Sequence, residues 1–170
     1  MSLTPEENAA LTQNLTAAME EATGGLASYL RAGGKLGDVL GLTGAELQAM
    51  YSLGHALYEQ QRYSEAFKVF SALVTYDHTE PRYGLALAAA NRMLGRHEDA
   101  LRQYLPAIMA DPLDPAPLYY SAESLVEMGR TDEAIEALDT VDALCEGQER
   151  HAAVAARARM LRGALTGPRA

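Results

Sequence analysis

Three short segments, residues 61–66 (QRYSEA), 95–100 (GRHEDA) and 129–134 (GRTDEA), are versions of one pattern that recurs every 34 residues. In each segment an arginine stands second, an acidic residue fifth and an alanine last. A period of this length is typical of arrays in which each repeat is one helix–turn–helix unit. The spacing therefore predicts an all-α solenoid whose helical hairpins stack side by side.

The residues around these segments follow the same period. A large side chain follows each recurrent alanine by four residues (Phe70, Tyr104 and Leu138), and so lies on the same helical face. A small residue is needed at the alanine because the two helices approach each other closely there. This is the pattern of the tetratricopeptide repeat. The predicted organisation is an N-terminal helical segment at 1–46, three repeats at 47–80, 81–114 and 115–148, and a C-terminal capping helix and tail at 149–170.

The N-terminal segment opens with an amphipathic stretch over residues 1–23, predicted to be a helix that stops at Gly24-Gly25. Leu11, Leu15 and Met19 lie on its apolar stripe. The stripe is compatible with three arrangements: packing on the solenoid, pairing with a second copy of the chain, or mobility until a partner binds. A second, shorter helix is expected to end at Gly33-Gly34.

Length, charge and composition limit the classes of function to which this chain could belong. A chain of 170 residues is long enough for one well-buried domain. Its net charge of −9 argues against nucleic acid as a partner. The single cysteine, Cys145, excludes an internal disulfide and favours a reducing compartment. No apolar run approaches a membrane span and no signal peptide is recognisable, so stable membrane insertion is not expected.

Catalytic and metal-binding patterns are absent from the sequence. It contains no HExxH, paired CxxC, GxSxG or glycine-rich phosphate loop. No two histidines share a helix face at the spacing of metal ligands. We therefore expect a protein that is not an enzyme and that holds no metal or other cofactor.

The first helix of each repeat is expected to line a concave, partner-binding surface through repeat positions 2, 5, 9 and 12. Tyrosine suits recognition because it offers a large contact area at low entropy cost, together with a polar group. The alternative is that Tyr51 and Tyr58 only pack between neighbouring helices, but their positions point away from the helix-pairing side. These positions hold Gln48, Tyr51, His55 and Tyr58 in repeat one, Arg82, Leu85, Ala89 and Arg92 in repeat two, and Ala116, Tyr119, Glu123 and Val126 in repeat three.

Pro106 departs from a regular repeat because it falls inside the second helix of repeat two. Proline has no N–H, and its ring crowds the carbonyl of Arg102, at a cost of about 3 kcal/mol in a helix interior. The helix is therefore predicted to kink or end there.

Several segments carry a more specific resemblance. Residues 31–36 (RAGGKL) lead into 47–58 (LQAMYSLGHALY), and 76–78 (YDH) are followed by 81–85 (PRYGL). Together these segments resemble the class II chaperones of bacterial type III secretion, which are small acidic tetratricopeptide-repeat proteins. The resemblance covers about 26–148.

The resemblance implies a cytoplasmic protein of a Gram-negative bacterium that binds hydrophobic translocator proteins before their secretion. The client would place an extended segment of Pro-x-Leu-x-x-Pro character in the concave groove. Tyr51 and Tyr58 match the groove tyrosines of the family, and Phe67 and Tyr83 match further family positions. Family members often form homodimers through N-terminal helices, which would place Leu11, Leu15 and Met19 at the dimer contact. A repeat adaptor for another protein, or a regulator of secretion genes, is the alternative function.

Overall fold

The computed structural model describes the chain from residue 5 to residue 167, and the side chains from residue 13 onward except those of Leu15 and Ala18. Within this part the chain is helical and contains no strand, so the predicted all-α class is confirmed. The elements are α1 (Pro5–Arg31), α2 (Leu36–Val39), α3 (Gly44–Glu59), α4 (Tyr63–Tyr76), α5 (Pro81–Met93), α6 (His97–Ala110), α7 (Pro115–Glu127), α8 (Thr131–Cys145), a 3-10 turn at Glu149–His151, and α9 (Ala152–Thr166).

Helices α3 to α8 form three hairpins, and each helix packs mainly on the helices before and after it in the chain. The recurrent alanines Ala66, Ala100 and Ala134 are completely buried, as close helix packing requires. The large side chain four residues after each of them is buried as well, with at most 1% of its surface exposed. The three hairpins thus bury the same positions of the 34-residue pattern.

The turn inside each hairpin has the same backbone conformation. Gln61, Gly95 and Gly129 adopt φ values of 61°, 72° and 73°. The next residue donates its N–H to the carbonyl five residues back, as from Arg62 to Leu57 at 2.9 Å. This arrangement satisfies carbonyls that the helix leaves unpaired, and it favours glycine because other residues are strained at positive φ.

Gln61→Gly is therefore expected to stabilise the fold by about 0.5–1 kcal/mol, because relief of the left-handed strain exceeds the entropy that glycine loses on folding. The reciprocal substitution, Gly95→Gln, should destabilise the fold by about 1 kcal/mol. Urea unfolding of the two variants and the parent chain measures both changes. Equal stability of all three proteins would contradict the prediction.

The N-termini of α3 and α7 are capped by the side chains that the sequence predicts. Thr43 and Glu46 form the predicted capping box of α3, in which each side chain accepts a hydrogen bond from the other residue's backbone N–H. Asp114 caps α7 by accepting the N–H of Ala116 at 3.0 Å, with Pro115 as the first helical residue.

The prediction for Pro106 is corrected in one respect, because α6 does not end at this residue but continues to Ala110. The helix is held on both sides by α5 and α7. Packing of this kind can offset the free-energy cost of one interior proline, since tertiary contacts supply most of the stability of helices in proteins.

The predicted stop of the first helix at Gly24-Gly25 is wrong. Helix α1 runs through both glycines and ends at Arg31, before Gly33, whose φ is 89°. Glycine costs a helix only about 1 kcal/mol, which does not break a helix by itself. Of the stripe residues, Met19 is 69% exposed, while the side chains of Leu11 and Leu15 lie outside the described residues.

Helix α2 is attached to the end of α4 by an ion pair. The Lys35 ammonium group lies 2.7 Å from Asp77 Oδ2, and the Thr79 hydroxyl and N–H donate to Asp77 Oδ1. Burial tends to raise the pKa of Asp77, but the hydrogen bonds from Lys35 and Thr79 outweigh it, so the pKa lies below its ordinary value. The segment before the first hairpin is thus fixed by a charged carboxylate.

Asp77→Asn is expected to lower the midpoint of thermal unfolding at pH 7, because Lys35 loses its charged partner. Since the folded-state pKa of Asp77 is depressed, its contribution is complete well above the ordinary value of 3.8 and is lost as the pH falls below that value. The difference between the variant and the parent should therefore shrink in acid. Thermal melts across this pH range test the prediction, with the exposed-pair variant Glu65→Gln as a nearly neutral control. A difference that does not change with pH would contradict it.

Helix α9 packs on α8 with its apolar side. Ala155 and Ala158 are buried there, and Val154, Leu161 and Leu165 pack around the same cluster. Arg162 pairs with Asp139 of α8 at 2.6 Å on the rim of this contact. The last hairpin therefore does not expose its apolar end. No helix in the described range 5–167 has the length and apolar character needed to cross a membrane.

Candidate functional site

A groove crosses the first helices of the three hairpins. Its cavity has a volume of about 260 Å³. The side chains that surround it are mostly aromatic, aliphatic or small, and they come from α3, α5, α6 and α7 with the cap of α7. We call it the central groove and define it by its lining residues Tyr58, Leu85, Ala89, Arg92, Tyr104, Asp114, Ala116, Pro117 and Tyr120.

Several of the predicted recognition residues meet in this groove. Tyr58 reaches it from α3, and Leu85, Ala89 and Arg92 reach it from α5. Tyr58 and Arg92 stand at repeat position 12, Leu85 at position 5 and Ala89 at position 9, and these are positions expected to line the surface. Burial raises the pKa of Tyr58, with Arg92 acting in the opposite direction, so this hydroxyl remains a neutral donor at physiological pH.

Tyr51, which like Tyr58 is on α3, belongs to a separate aromatic cluster that also includes residues of α4 and α5. Its ring centroid is 4.5 Å from that of His55, 5.5 Å from that of Tyr83 and 6.2 Å from that of Phe70. The Arg82 guanidinium lies 5.3 Å from the Tyr51 ring centroid, within cation–π range. Tyr83 is buried, whereas Tyr51 keeps part of its surface exposed. Tyr51 therefore both supports the core of the first hairpin and presents a face to solvent.

Two other predicted residues lie away from the central groove. Gln48 is exposed near the start of α3. Phe67 belongs to α4, where it packs against the core of the first hairpin and lies under Arg96, whose guanidinium is 4.7 Å from the ring centroid.

An ion pair joins α5 to α7 beside the groove. Arg92 Nη1 lies 3.0 Å from Glu123 Oε2, and the Tyr119 hydroxyl donates to Glu123 Oε1 at 2.7 Å. Burial and the Glu123 carboxylate raise the pKa of Tyr119 to about 12. The Arg92 guanidinium also lies 5.4 Å from the ring centroid of Tyr120. Tyr119 and Glu123 thus hold Arg92 in place at the side of the groove.

The positional rule missed part of the groove. Tyr120 and Pro117 stand at repeat positions 6 and 3, which the rule does not include. Tyr104 comes from a second helix and occupies the position of a core residue. The available signal in the sequence is the proline-rich run before α7, because Asp114, Ala116 and Pro117 of that run line the groove.

Among the described residues, no three His, Cys, Asp or Glu side chains converge in a way that could hold a metal ion. The histidines are spread over different elements, and Cys145 is buried, with a pKa raised by that burial. The groove has the character of a ligand-binding site, because apolar walls surround a few polar groups.

Comparison with known proteins gives consistent matches. The sequence profile of the tetratricopeptide repeat matches residues 35–81, 51–115 and 83–149. Low calcium response locus protein H of Yersinia pestis is 31% identical over 123 residues, which span 72% of this chain and 69% of that protein.

Two solved structures are similar in fold and sequence. PcrH of Pseudomonas aeruginosa, in complex with the chaperone binding region of PopD, is 34% identical with a TM-score of 0.69 and covers 74% of this chain and 95% of its own. The translocator chaperone SycD of Yersinia enterocolitica, in complex with a peptide of the translocator YopD, is 27% identical with a TM-score of 0.67. The match covers 72% of this chain and 94% of the SycD chain. Another crystal structure of SycD shows an alternative dimer.

Proposed function

Since this chain belongs to the tetratricopeptide-repeat family and, within it, to the class II chaperones of type III secretion, we propose that its central groove binds an extended segment of hydrophobic translocator proteins. The relatives are chaperones and not enzymes. The observation that carries the proposal is the groove itself, whose apolar walls come from all three hairpins. Relatives of the same fold were crystallised with translocator segments, which supports it.

The chemistry of the groove suits a proline-containing segment. Such a chain is already extended and has no internal hydrogen bonds, so it loses less entropy on binding than a flexible peptide. Leu85, Ala89 and Pro117 offer apolar contacts for leucine and proline side chains, and Tyr58 and Tyr120 add aromatic surface. A client of Pro-x-Leu-x-x-Pro character therefore matches the lining residues.

The proposed client-binding surface extends beyond the groove along the first helices. Tyr51 with His55 and Arg82 would hold one end of the segment, next to the buried Tyr83, and the Arg92–Glu123 pair with Tyr119 would flank the other end. For the domain organisation we keep the proposal made from the sequence, with repeats at 47–80, 81–114 and 115–148 between an N-terminal segment and a capping helix. Gln48 and Phe67 belong to the proposed surface on positional grounds only.

Helix α1 is proposed to mediate a homodimer through Leu11, Leu15 and Met19. Helix α1 has no substantial packing against the described hairpins, and the exposed Met19 is available to a second copy. The dimer of SycD supports the proposal. We place the protein in the cytoplasm of a Gram-negative bacterium, where translocators must be kept soluble and apart before secretion.

The test is co-expression with the translocators of the same secretion system, followed by size-exclusion chromatography with light scattering. We expect a soluble, stoichiometric complex with a translocator that is insoluble alone. The mass of the free chain and of the complex would show whether a dimer gives way to a heterodimer. If the translocators stay insoluble and this chain elutes alone, the proposal is wrong, and an adaptor or regulatory function for another partner takes its place.

A groove-filling variant makes this test specific. Ala89→Arg should abolish the complex, because a long charged side chain would occupy the cavity. Ala156→Arg places the same side chain on the exposed surface of α9 and should leave the complex intact. Retention of the complex by Ala89→Arg would show that the client binds elsewhere.

A further inference from the structure

The second helix of repeat two carries large apolar side chains that lie outside the central groove and face solvent. Leu105, Met109 and Leu113 are 56%, 73% and 65% exposed. Leu105 and Met109 lie one turn apart on α6, and Leu113 follows in the turn before α7. We call these three residues the outer stripe. A single exposed apolar side chain is ordinary, but a row of them is typical of a surface that another molecule covers.

The other two repeats show that the fold does not require these side chains. The residues at the same three positions are Ser71, Thr75 and Thr79 in repeat one and Asp139, Ala143 and Gly147 in repeat three. They are polar or small, and all of them except the half-buried Ser71 are exposed. Because the three hairpins bury the same positions of the pattern, packing within a repeat does not explain the outer stripe of repeat two.

A cavity of about 250 Å³ lies beside the outer stripe, between the end of α4 and α6. Pro106 and Ala110, the neighbours of Leu105 and Met109 in the chain, line it. Gly84 of α5 lines it as well, and a Cβ atom added there would have its nearest neighbours 4.0 Å away, so the space beside this glycine is open. The cavity therefore has room for a side chain of a molecule that lies on the stripe.

The outer stripe is continuous along the chain with the central groove. Leu113 directly precedes Asp114, which lines that groove. The exposed Asp111 stands between Met109 and Leu113, where its carboxylate accepts the N–H of Leu113 at 3.1 Å and has no cationic partner within the described part of the chain. A polypeptide that leaves the groove at Asp114 therefore reaches an apolar surface that carries one free negative charge.

We propose, on the basis of the function proposed above, that the outer stripe binds a second segment of the same translocator, which is apolar and carries a basic residue. A hydrophobic translocator has more apolar surface than a groove of about 260 Å³ can cover, and a second contact covers more of it. Methionine suits this contact because its flexible side chain adapts to different partners. Since both segments belong to one polypeptide, the second contact forms at a high effective concentration and raises the overall affinity.

The experiment measures how readily a peptide that fills the groove displaces the translocator. Leu105→Ser, Met109→Thr and Leu113→Thr, made together, give repeat two the residues of repeat one. Purified translocator complexes of this triple variant and of the parent chain are titrated with a synthetic Pro-x-Leu-x-x-Pro peptide of the same translocator. We expect the variant complex to release the translocator at a peptide concentration about 10-fold or more lower. The free variant should bind the peptide as tightly as the parent chain does.

Two single variants and a control complete the design. Met109→Thr changes the most exposed of the three side chains, so it should fold like the parent and lower the displacing concentration about 3-fold or more. Asp111→Asn removes the charge but can still accept the N–H of Leu113, and it should make the displacement less dependent on salt. Met160→Thr is the same substitution at an exposed methionine of α9 and should behave as the parent chain does.

The outcomes are distinct. Displacement at the parent's peptide concentration in the triple variant and in Met109→Thr would overturn the inference while leaving the proposed function intact. A mass of the free triple variant that differs from that of the parent chain in light scattering would also overturn it, because a second copy would then cover the stripe. An unchanged salt dependence in Asp111→Asn would overturn the basic character of the segment. No binding of the peptide by the free parent chain would overturn the proposed function, and this inference with it.

Discussion

Replacing Tyr51 and Tyr58 together by alanine is expected to weaken binding of a translocator segment by about 100-fold or more. Aromatic anchors at the centre of an interface typically contribute about 2 kcal/mol or more each when they are truncated, and each 1.4 kcal/mol is about a tenfold change in Kd. Tyr58 lines the central groove, and Tyr51 presents its exposed face beside Arg82. Fluorescence anisotropy with a labelled segment measures the loss.

Stability must be separated from binding in this variant. Tyr51 packs against Phe70 and Tyr83, so its truncation is expected to lower the unfolding midpoint as well. Tyr76→Ala is the matched control, because Tyr76 packs against the same core cluster but does not line the groove. It should reduce stability and leave the affinity nearly unchanged. Full affinity in the double variant would show that neither tyrosine contacts the client.

Gly54→Ala is expected to destabilise the protein by about 2 kcal/mol, although alanine normally favours a helix over glycine. A Cβ atom at Gly54 would lie 2.4 Å from Cε1 of Phe70. Phe70 is 1% exposed and fixed within the core of the first hairpin, so it has little space into which it could move. The helices α3 and α4 would therefore have to separate.

Gly163→Ala provides the comparison, because a Cβ atom at this position in α9 meets nothing within 4 Å. This variant should be more stable than the parent by about 0.5–1 kcal/mol. Denaturant unfolding of both variants gives changes of opposite sign if the crowding at Gly54 is real. A stabilised Gly54→Ala protein would mean that the first hairpin packs more loosely than described.

The features that sequence predicted well depend on short-range rules. The recurrence of Ala66 in later repeats placed the buried face of each second helix, because a helical face is set by residue spacing. The cap formed by Thr43 and the turn at Gly95 follow from backbone hydrogen bonding and permitted φ values. None of these needs knowledge of distant contacts.

The errors in the fold come from competition between local and tertiary effects. At Gly24-Gly25 the local penalty predicts a helix end, yet it is too small to end a helix whose other residues favour continuation. At Pro106 the penalty is larger, but α6 is held between α5 and α7. Residue spacing alone does not show whether the local penalty or the contribution of the rest of the helix and its packing is larger.

The groove was predicted in part for the same reason. Tyr58 and Arg92 were found because their repeat positions fix the direction of their side chains. Tyr120 and Tyr104 were missed because their place depends on how the third hairpin lies against the second. That arrangement is a property of packing between repeats, which the 34-residue pattern does not encode.

The sequential packing of the helices also has a kinetic and cooperative consequence. Because each helix of the hairpins meets mainly its neighbours in the chain, the mean sequence separation of contacts is small, and such topologies fold rapidly. The same topology allows the terminal hairpin to open while the others stay folded. A client that crosses α3, α5 and α7 would connect hairpins that are otherwise coupled only one to the next, so the loaded protein should unfold as a single unit and the free protein in stages.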